Sequence, residues 1–308
     1  ALQIAMMALG LKPGDEVITA SFTYVATAEV IGLLGLNPVL VDVYPDTFDI
    51  NIEAIEKAIT PKTKAIVPVH LFGQCANMDA IMQIAEKHKL FVIEDTAQAI
   101  GAFYTNSQGQ KLRAGTIGDV GCTSFFPSKN LGCMGDGGAL FTRNETLAKR
   151  LKMIANHGQS IQYHHDDIGV NSRLDTLQAA ILLVKLNYLD FYNTQRRKNA
   201  LYYQNRLQGI KEIQLPPFSA TPIFHAYTIK VPAGKRNALA EFLKQNGIAS
   251  TVNYPIPAYQ QSAYLQNIYL ANTENACASA LSIPIYPEIT EPQLDYICNT
   301  ILKFFDSE

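Results

Sequence analysis

Short runs rich in Val, Ile and Leu recur along the first half of the chain with helix-like patterns between them, and this alternation leaves little choice of fold. The runs lie at 16–19, 38–43, 64–70 and 90–94, and the helical patterns near 25–34, 52–59 and 78–88. Strand and helix in regular alternation predict a mostly parallel sheet. The runs are nearly continuous in apolar residues, as expected where helices cover both faces of a sheet. Right-handed crossovers then bring the carboxyl ends of the strands to one edge, where α/β proteins bind ligands. No GxGxxG follows an early strand, so a nicotinamide-binding Rossmann unit has little support, and no internal repeat is present.

A chain of 308 residues with 48% apolar composition can bury a large core and a smaller one. The expected division is an α/β domain over 1–205, incomplete at its start and ending in a linking helix, followed by a smaller α+β domain over 206–308. Strands are expected there near 226–231 and 249–253, and helices near 238–246 and 291–305. Net charge is −2 with no basic run, which argues against nucleic acid or an anionic membrane as partner and leaves small-molecule chemistry. The five cysteines are scattered without a CxxC pair, so neither a disulfide framework nor a zinc or other metal site is expected, and a reducing cytoplasm fits. The opening ALQIAMMALG lacks a basic flank and reads as a helix and its stop, and no stretch is long enough to span a membrane.

The chemistry centres on GDVGCTSFFPSKNLGCMGDGGALF, residues 118–141. A β-prone run over 120–126 delivers a lone lysine, Lys129, into a turn bracketed by Pro127 and Gly132, and a second strand is expected over 138–142. A lysine at the end of a buried strand loses hydration, which lowers its pKa and frees the amine for imine chemistry with a carbonyl; a solvated turn lysine is the alternative. Ser124 lies on the same strand. The strand near residue 90 ends in VIEDTAQA, which sets Glu94, Asp95 and Gln98 at the same edge. Asp95 reads either as the cap of a helix beginning at Thr96 or as a carboxylate that keeps a ring nitrogen protonated. A lysine for the imine and an acid for the pyridinium nitrogen are the two protein groups that pyridoxal phosphate requires. His70, at the end of VPVH, reads mainly as a packed, hydrogen-bonded histidine.

Tyr24, in SFTYVATA, follows the first strand and can stack on a flat ring or simply pack in the core. Further on, Ser172 and Asp175 form the S-x-x-D signature of a helix start, which would put Asn171 and Arg173 at a helix N-terminus, where anions bind. The helical pattern then runs through Tyr188 to about Leu207.

The segments SFTYVATA, PVHLFGQ, VIEDTAQAIGA, TSFFPSKNLGCMGDGGA, NHGQ and GVNSRLDTLQAAIL together resemble the DegT/DnrJ/EryC1/StrS family of nucleotide-sugar aminotransferases, in the right order and over nearly the whole chain. The resemblance implies the fold of the aspartate aminotransferase superfamily, fold type I of the pyridoxal-phosphate enzymes. It makes Lys129 the Schiff-base lysine and Asp95 the partner of the pyridine nitrogen. By the same resemblance Gln98 contacts the ring hydroxyl side, Tyr24 stacks on the ring and Ser124 helps to hold the phosphate. The family's sites form between two subunits of a homodimer, so Asn171 would reach the phosphate of the neighbouring subunit's cofactor and Arg173 the substrate there. Tyr254 and its neighbour Asn253 would line the sugar pocket.

FFPSKNLGCMGDGG and VNYPIP look closest to enzymes that aminate the 3-keto group of a UDP-linked N-acetylated hexuronic acid for surface polysaccharide synthesis, with glutamate as donor. Two departures stand out. Relatives carry a segment before the position of Ala1 that ends in a Gly-Thr phosphate contact, so the expectation is an incomplete chain, the alternative being a protein that has lost part of its phosphate cup, and Asn253 stands where the nearest enzymes have His. A sugar dehydratase of the same fold is the first rival, although those enzymes replace the lysine with histidine. A catalytically silent, regulatory member is the second.

Overall fold

The computed structural model describes residues 1–218 and 221–306. In chain order the elements are α1 (Leu2–Ala8), β1 (Glu16–Ala20), α2 (Ala26–Leu33), β2 (Asn37–Val41), α3 (Ile52–Ala58), β3 (Thr63–Val67), α4 (Met78–His88) and β4 (Phe91–Asp95). There follow β5 (Phe103–Thr105), β6 (Lys111–Arg113), β7 (Val120–Ser124), β8 (Gly138–Phe141), α5 (Glu145–Ile154), β9 (Gln159–Ile161) and β10 (His164–His165). The remainder comprises α6 (Thr176–Leu186), α7 (Leu189–Leu207), β11 (Tyr227–Lys230), α8 (Arg236–Gln245), α9 (Ala271–Ser279), β12 (Ala280–Ile283) and α10 (Glu291–Asp306).

The main sheet has the order β2-β1-β3-β4-β7-β8, parallel throughout except for β8, which closes the edge antiparallel to β7. Alternate side chains of each strand enter opposite cores, as the two-residue period of a strand dictates. Ile18, Ile66 and Val92 pack with α3 and α4 through Ile55, Met78 and Ile81. Their sequence neighbours Val17, Val67 and Ile93 pack on the other face with α1, α2 and α5 through Met6, Ile31 and Leu151. A third core joins α7, α8 and α10 to the β11–β12 pair through Tyr203, Leu239, Ile301, Ile229 and Leu281.

The structure departs from the sequence expectations in four places. Residues 96–102 form turns without a helix, so Asp95 caps none; its Oδ1 accepts from the Ala97 amide at 3.1 Å. The helix expected at Ser172 begins at Thr176 with Asp175 as its cap residue, so Asn171 and Arg173 lie in extended chain before it. The single helix expected through Tyr188 is two, α6 and α7, separated at Asn187 and Tyr188. The strand expected over 249–253 is only one bridge, Thr251 to Ser282, and the partner of β11 is β12. No described helix is long and apolar enough to cross a membrane.

Candidate active site

The carboxyl edge of β3, β4 and β7 is stitched together before any side chain is considered. The Asp95 amide donates to Pro68 O and the His70 amide to Asp95 O, while Thr96 donates from both its amide and hydroxyl to Cys122 O. These bonds fix where the carboxylate of Asp95 leaves the sheet. Its Oδ2 accepts from the buried Thr27 hydroxyl of α2 at 2.9 Å. Oδ1 has only the Ala97 amide, so lone pairs remain free on both oxygens.

One strand over, β7 runs into a loop folded back tightly on itself. Phe126 O accepts from the Lys129 amide and Phe125 O from the Cys133 amide. A Cβ on Gly132 would lie 2.5 Å from Pro127 O, so only glycine fits there. From outside, Lys185 of α6 donates to Gly132 O and Gln178 accepts from the Met134 amide. Lys129 is thus held on a braced loop. Burial pulls its pKa below the ordinary lysine value, opposed by the charge of Asp95, and among the described residues its amine has no hydrogen-bond partner. A desolvated, unengaged amine facing a carboxylate is the arrangement that imine chemistry needs.

Glu94, one residue before Asp95, serves a different purpose. Its buried carboxylate accepts from the Gly115, Ile117 and Gly118 amides at 2.6–2.8 Å and from His70 Nε2 at 2.9 Å. The Ala76 amide donates to His70 Nδ1, so Nε2 carries the proton, and the histidine is a buried brace as its packed reading requires. Burial works to raise the Glu94 pKa, but the bond from His70 and the backbone donors outweigh it and hold the carboxyl below the usual range.

The other wall comes from Gln98, Tyr24 and Tyr254. The Phe72 amide donates to Gln98 Oε1 at 2.8 Å, which turns Gln98 Nε2 toward the Tyr254 hydroxyl at 3.0 Å. Tyr254 lies edge-on to Phe22, and its ring centroid is 6.3 Å from that of Tyr24, a residue that is 60% exposed. Burial, eased by the Gln98 bond, raises the Tyr254 pKa and keeps its phenol protonated. The side-chain Nδ2 of Asn253 donates to Ser282 Oγ of β12 at 3.3 Å, so it is engaged with the small sheet. Ser124, at the end of β7, is half-buried and accepts from the Phe126 amide, leaving its hydroxyl proton available.

Asn171 and Arg173 are not brought to this cleft. Both are exposed: Asn171 bridges to Asn156, and Arg173 Nη1 donates to Asn156 Oδ1 at 2.8 Å. The sequence reading missed Thr27, whose contact with Asp95 spans 68 residues, and His225, which comes from the far half of the chain to within 3.1 Å of Asn130 Oδ1, on the residue after Lys129.

The profile of the DegT/DnrJ/EryC1/StrS aminotransferase family matches residues 1–302. The chain is 46% identical over 307 residues to a UDP-N-acetyl-3-dehydro-alpha-D-glucosamine 3-aminotransferase of Acidithiobacillus ferrooxidans, covering 98% of this chain and 81% of that one. It is also 46% identical over 303 residues to a UDP-2-acetamido-2-deoxy-3-oxo-D-glucuronate aminotransferase of Pseudomonas aeruginosa, covering 97% and 82%. Among solved structures, that of ntda from Bacillus subtilis with bound cofactor PMP superposes with a TM-score of 0.92 at 35% identity, over 99% of this chain and 71% of that one. With the lysine, the carboxylate and the sheet edge in place, the chain belongs to the DegT/DnrJ/EryC1/StrS family of pyridoxal-phosphate-dependent aminotransferases.

Proposed function

We propose that this chain transfers an amino group, from glutamate, to the 3-keto group of a UDP-linked N-acetylated hexose or hexuronic acid, in the cytoplasm and for surface polysaccharide synthesis. The observation that carries the reading is the pairing of Lys129, on the loop that follows β7, with Asp95, at the end of the adjacent strand β4, with the amine desolvated and without a partner among the described residues. The donor set fits pyridoxal phosphate: a free amine, a carboxylate with open lone pairs, an exposed aromatic face at Tyr24 and a free hydroxyl at Ser124. When bound, that cofactor would supply an aldehyde carbon for amine exchange and a ring able to take up the electrons released on deprotonation.

In this reading Lys129 holds the cofactor and, once displaced, carries the proton from the donor's α-carbon, returning it in the opposite sense for the keto sugar. Asp95, oriented by Thr27, keeps the ring nitrogen protonated. Tyr24 covers one ring face, Gln98 lies on the ring-hydroxyl side, and Ser124 contacts the phosphate. Tyr254, with Asn253 behind it, lines the sugar pocket.

We also propose a homodimer with shared sites. On α6, Leu177, Leu183, Val184 and Leu186 are more than half exposed, an apolar face suited to a second copy of the chain. Asn171 and Arg173 stand on the chain leading into that helix, where they serve the neighbouring subunit. Mixing Lys129→Ala with Arg173→Ala subunits should then restore activity that neither homodimer has. Absence of rescue despite proven subunit exchange would contradict sharing. For the substrate, 3-keto sugars linked to UDP or dTDP are added to the enzyme in its pyridoxamine form. Return of the aldehyde absorbance with the UDP sugars alone supports the reading, and return only with dTDP sugars contradicts it.

A further inference from the structure

A chain of buried amides runs from the linking helix to the lysine loop and ends on His225. Asn193 Nδ2 donates to Ile100 O at 3.2 Å, Asn130 Nδ2 donates to Asn193 Oδ1 at 2.8 Å, and Asn130 Oδ1 lies 3.1 Å from His225 Nδ1. The polarity of this chain is set at its far end, because a carbonyl oxygen can only accept. Ile100 O therefore takes the NH2 of Asn193, Asn193 presents its oxygen to Asn130, and Asn130 presents its oxygen to the imidazole. His225 Nδ1 must carry a proton.

The second ring nitrogen is then settled by charge. Burial, with the charges of Lys129 and Arg196 behind it, pushes the His225 pKa down to about 3, so the ring is neutral and Nε2 is an unprotonated acceptor. Among the described residues Nε2 has no hydrogen-bond partner. The position of His225 is enforced from three sides. Arg196 Nη1 donates to the carbonyls of Phe224, His225 and Ile285. The Ile223 amide donates to Gly73 O, and a Cβ on Gly73, already at a φ of +99°, would come within 2.9 Å of the His225 amide nitrogen. The third restraint is Asn130, the residue after Lys129.

We propose that His225 is a positioning residue for Lys129: the amide chain from Ile100 holds the imidazole as the Nδ1–H tautomer, so that Nε2 offers a lone pair to the lysine ammonium whenever that amine carries the transferred proton. This rests on Lys129 being the proton carrier of the transamination. A neutral acceptor stabilises the ammonium without adding a charge to the cleft, and it aims an otherwise flexible side chain.

Two substitutions separate the nitrogens. Asn places an amide nitrogen near Nδ1 but does not reach Nε2, whereas Gln reaches Nε2 and leaves Asn130 without its partner. In the holoenzyme, His225→Asn should keep a thermal midpoint near that of the wild type yet lower kcat roughly 10- to 100-fold, the value of a charge-assisted hydrogen bond, with KM within about two-fold. His225→Gln should be the less stable variant and the faster one. Wild-type kcat in His225→Asn would overturn the proposal while leaving the aminotransferase reading intact; a wild-type enzyme inert toward every keto sugar would instead overturn that reading. Nitrogen-15 spectra of histidine-labelled holoenzyme provide a measurement free of mutation. His225 should show the Nδ1–H pattern unchanged from pH 5 to pH 9, and an Nε2–H pattern or a titration in that range would overturn the proposal.

Discussion

Glu94→Gln exchanges one oxygen for an NH2 group at nearly constant shape, and the geometry of the site makes the cost large. The carboxylate accepts four hydrogen bonds, Oε1 from the Ile117 and Gly118 amides and Oε2 from the Gly115 amide and His70 Nε2. In either orientation the new NH2 faces two donors. His70 cannot relieve the conflict by shifting its proton, because Nδ1 is already the acceptor for the Ala76 amide. Two hydrogen bonds to a charged group are lost, at about 1.5–3 kcal/mol each, so the variant should be less stable by about 3–6 kcal/mol. Equilibrium urea unfolding at pH 7.5 measures this. The pH dependence follows from the depressed carboxyl: in the wild type this stabilisation is present above the unfolded-state value and is lost as pH falls through the lower folded value, and Glu94→Gln lacks that acid-sensitive component. A destabilisation below about 1 kcal/mol would refute the reasoning.

Thr27→Val removes the hydroxyl that donates to Asp95 Oδ2 and should lower kcat roughly ten-fold in steady-state transamination, with KM unchanged; an unaltered kcat would mean that Thr27 does not orient the carboxylate. Asp95→Asn keeps the shape and cannot hold a ring nitrogen protonated, so single-turnover amination should slow by roughly three orders of magnitude, about 4 kcal/mol in the barrier. Asp49 is buried with Oδ1 unpartnered, and burial raises its pKa to about 7 against the hydrogen bond that Gln74 Nε2 donates to Oδ2. Its raised folded pKa means that stability is fully present below the unfolded value and lost as pH rises through about 7, so Asp49→Asn should raise the melting temperature at pH 8 and change it little at pH 4.

The main sheet was legible because its strands are buried on both faces, which writes them as unbroken apolar runs, and its helices carry the complementary period. Val17 and Ile18 face opposite cores, yet both must be apolar. The ends were less legible, since the last residues of a strand are set by hydrogen bonds to neighbours remote in sequence. Asp95 could be found because a charged residue closing an apolar strand is conspicuous, and Lys129 because it is the lone charge in the turn that follows one. The S-x-x-D pattern misled at Ser172, whose amide bonds to Ala155 O and holds the chain extended until Asp175. His225 carries no signal of its own: it is a lone histidine in FHAY, and Asn130 and Asn193 acquire meaning only when the fold brings them into line.

The central claim is that Lys129 is the residue that binds the cofactor aldehyde. Borohydride reduction of the enzyme carrying pyridoxal phosphate, followed by peptide mapping, tests it most directly. The account predicts loss of the visible absorption band and one irreversibly labelled peptide, with the cofactor on Lys129, and no label in Lys129→Ala. A label on any other lysine, or a visible band that survives in Lys129→Ala, would contradict it.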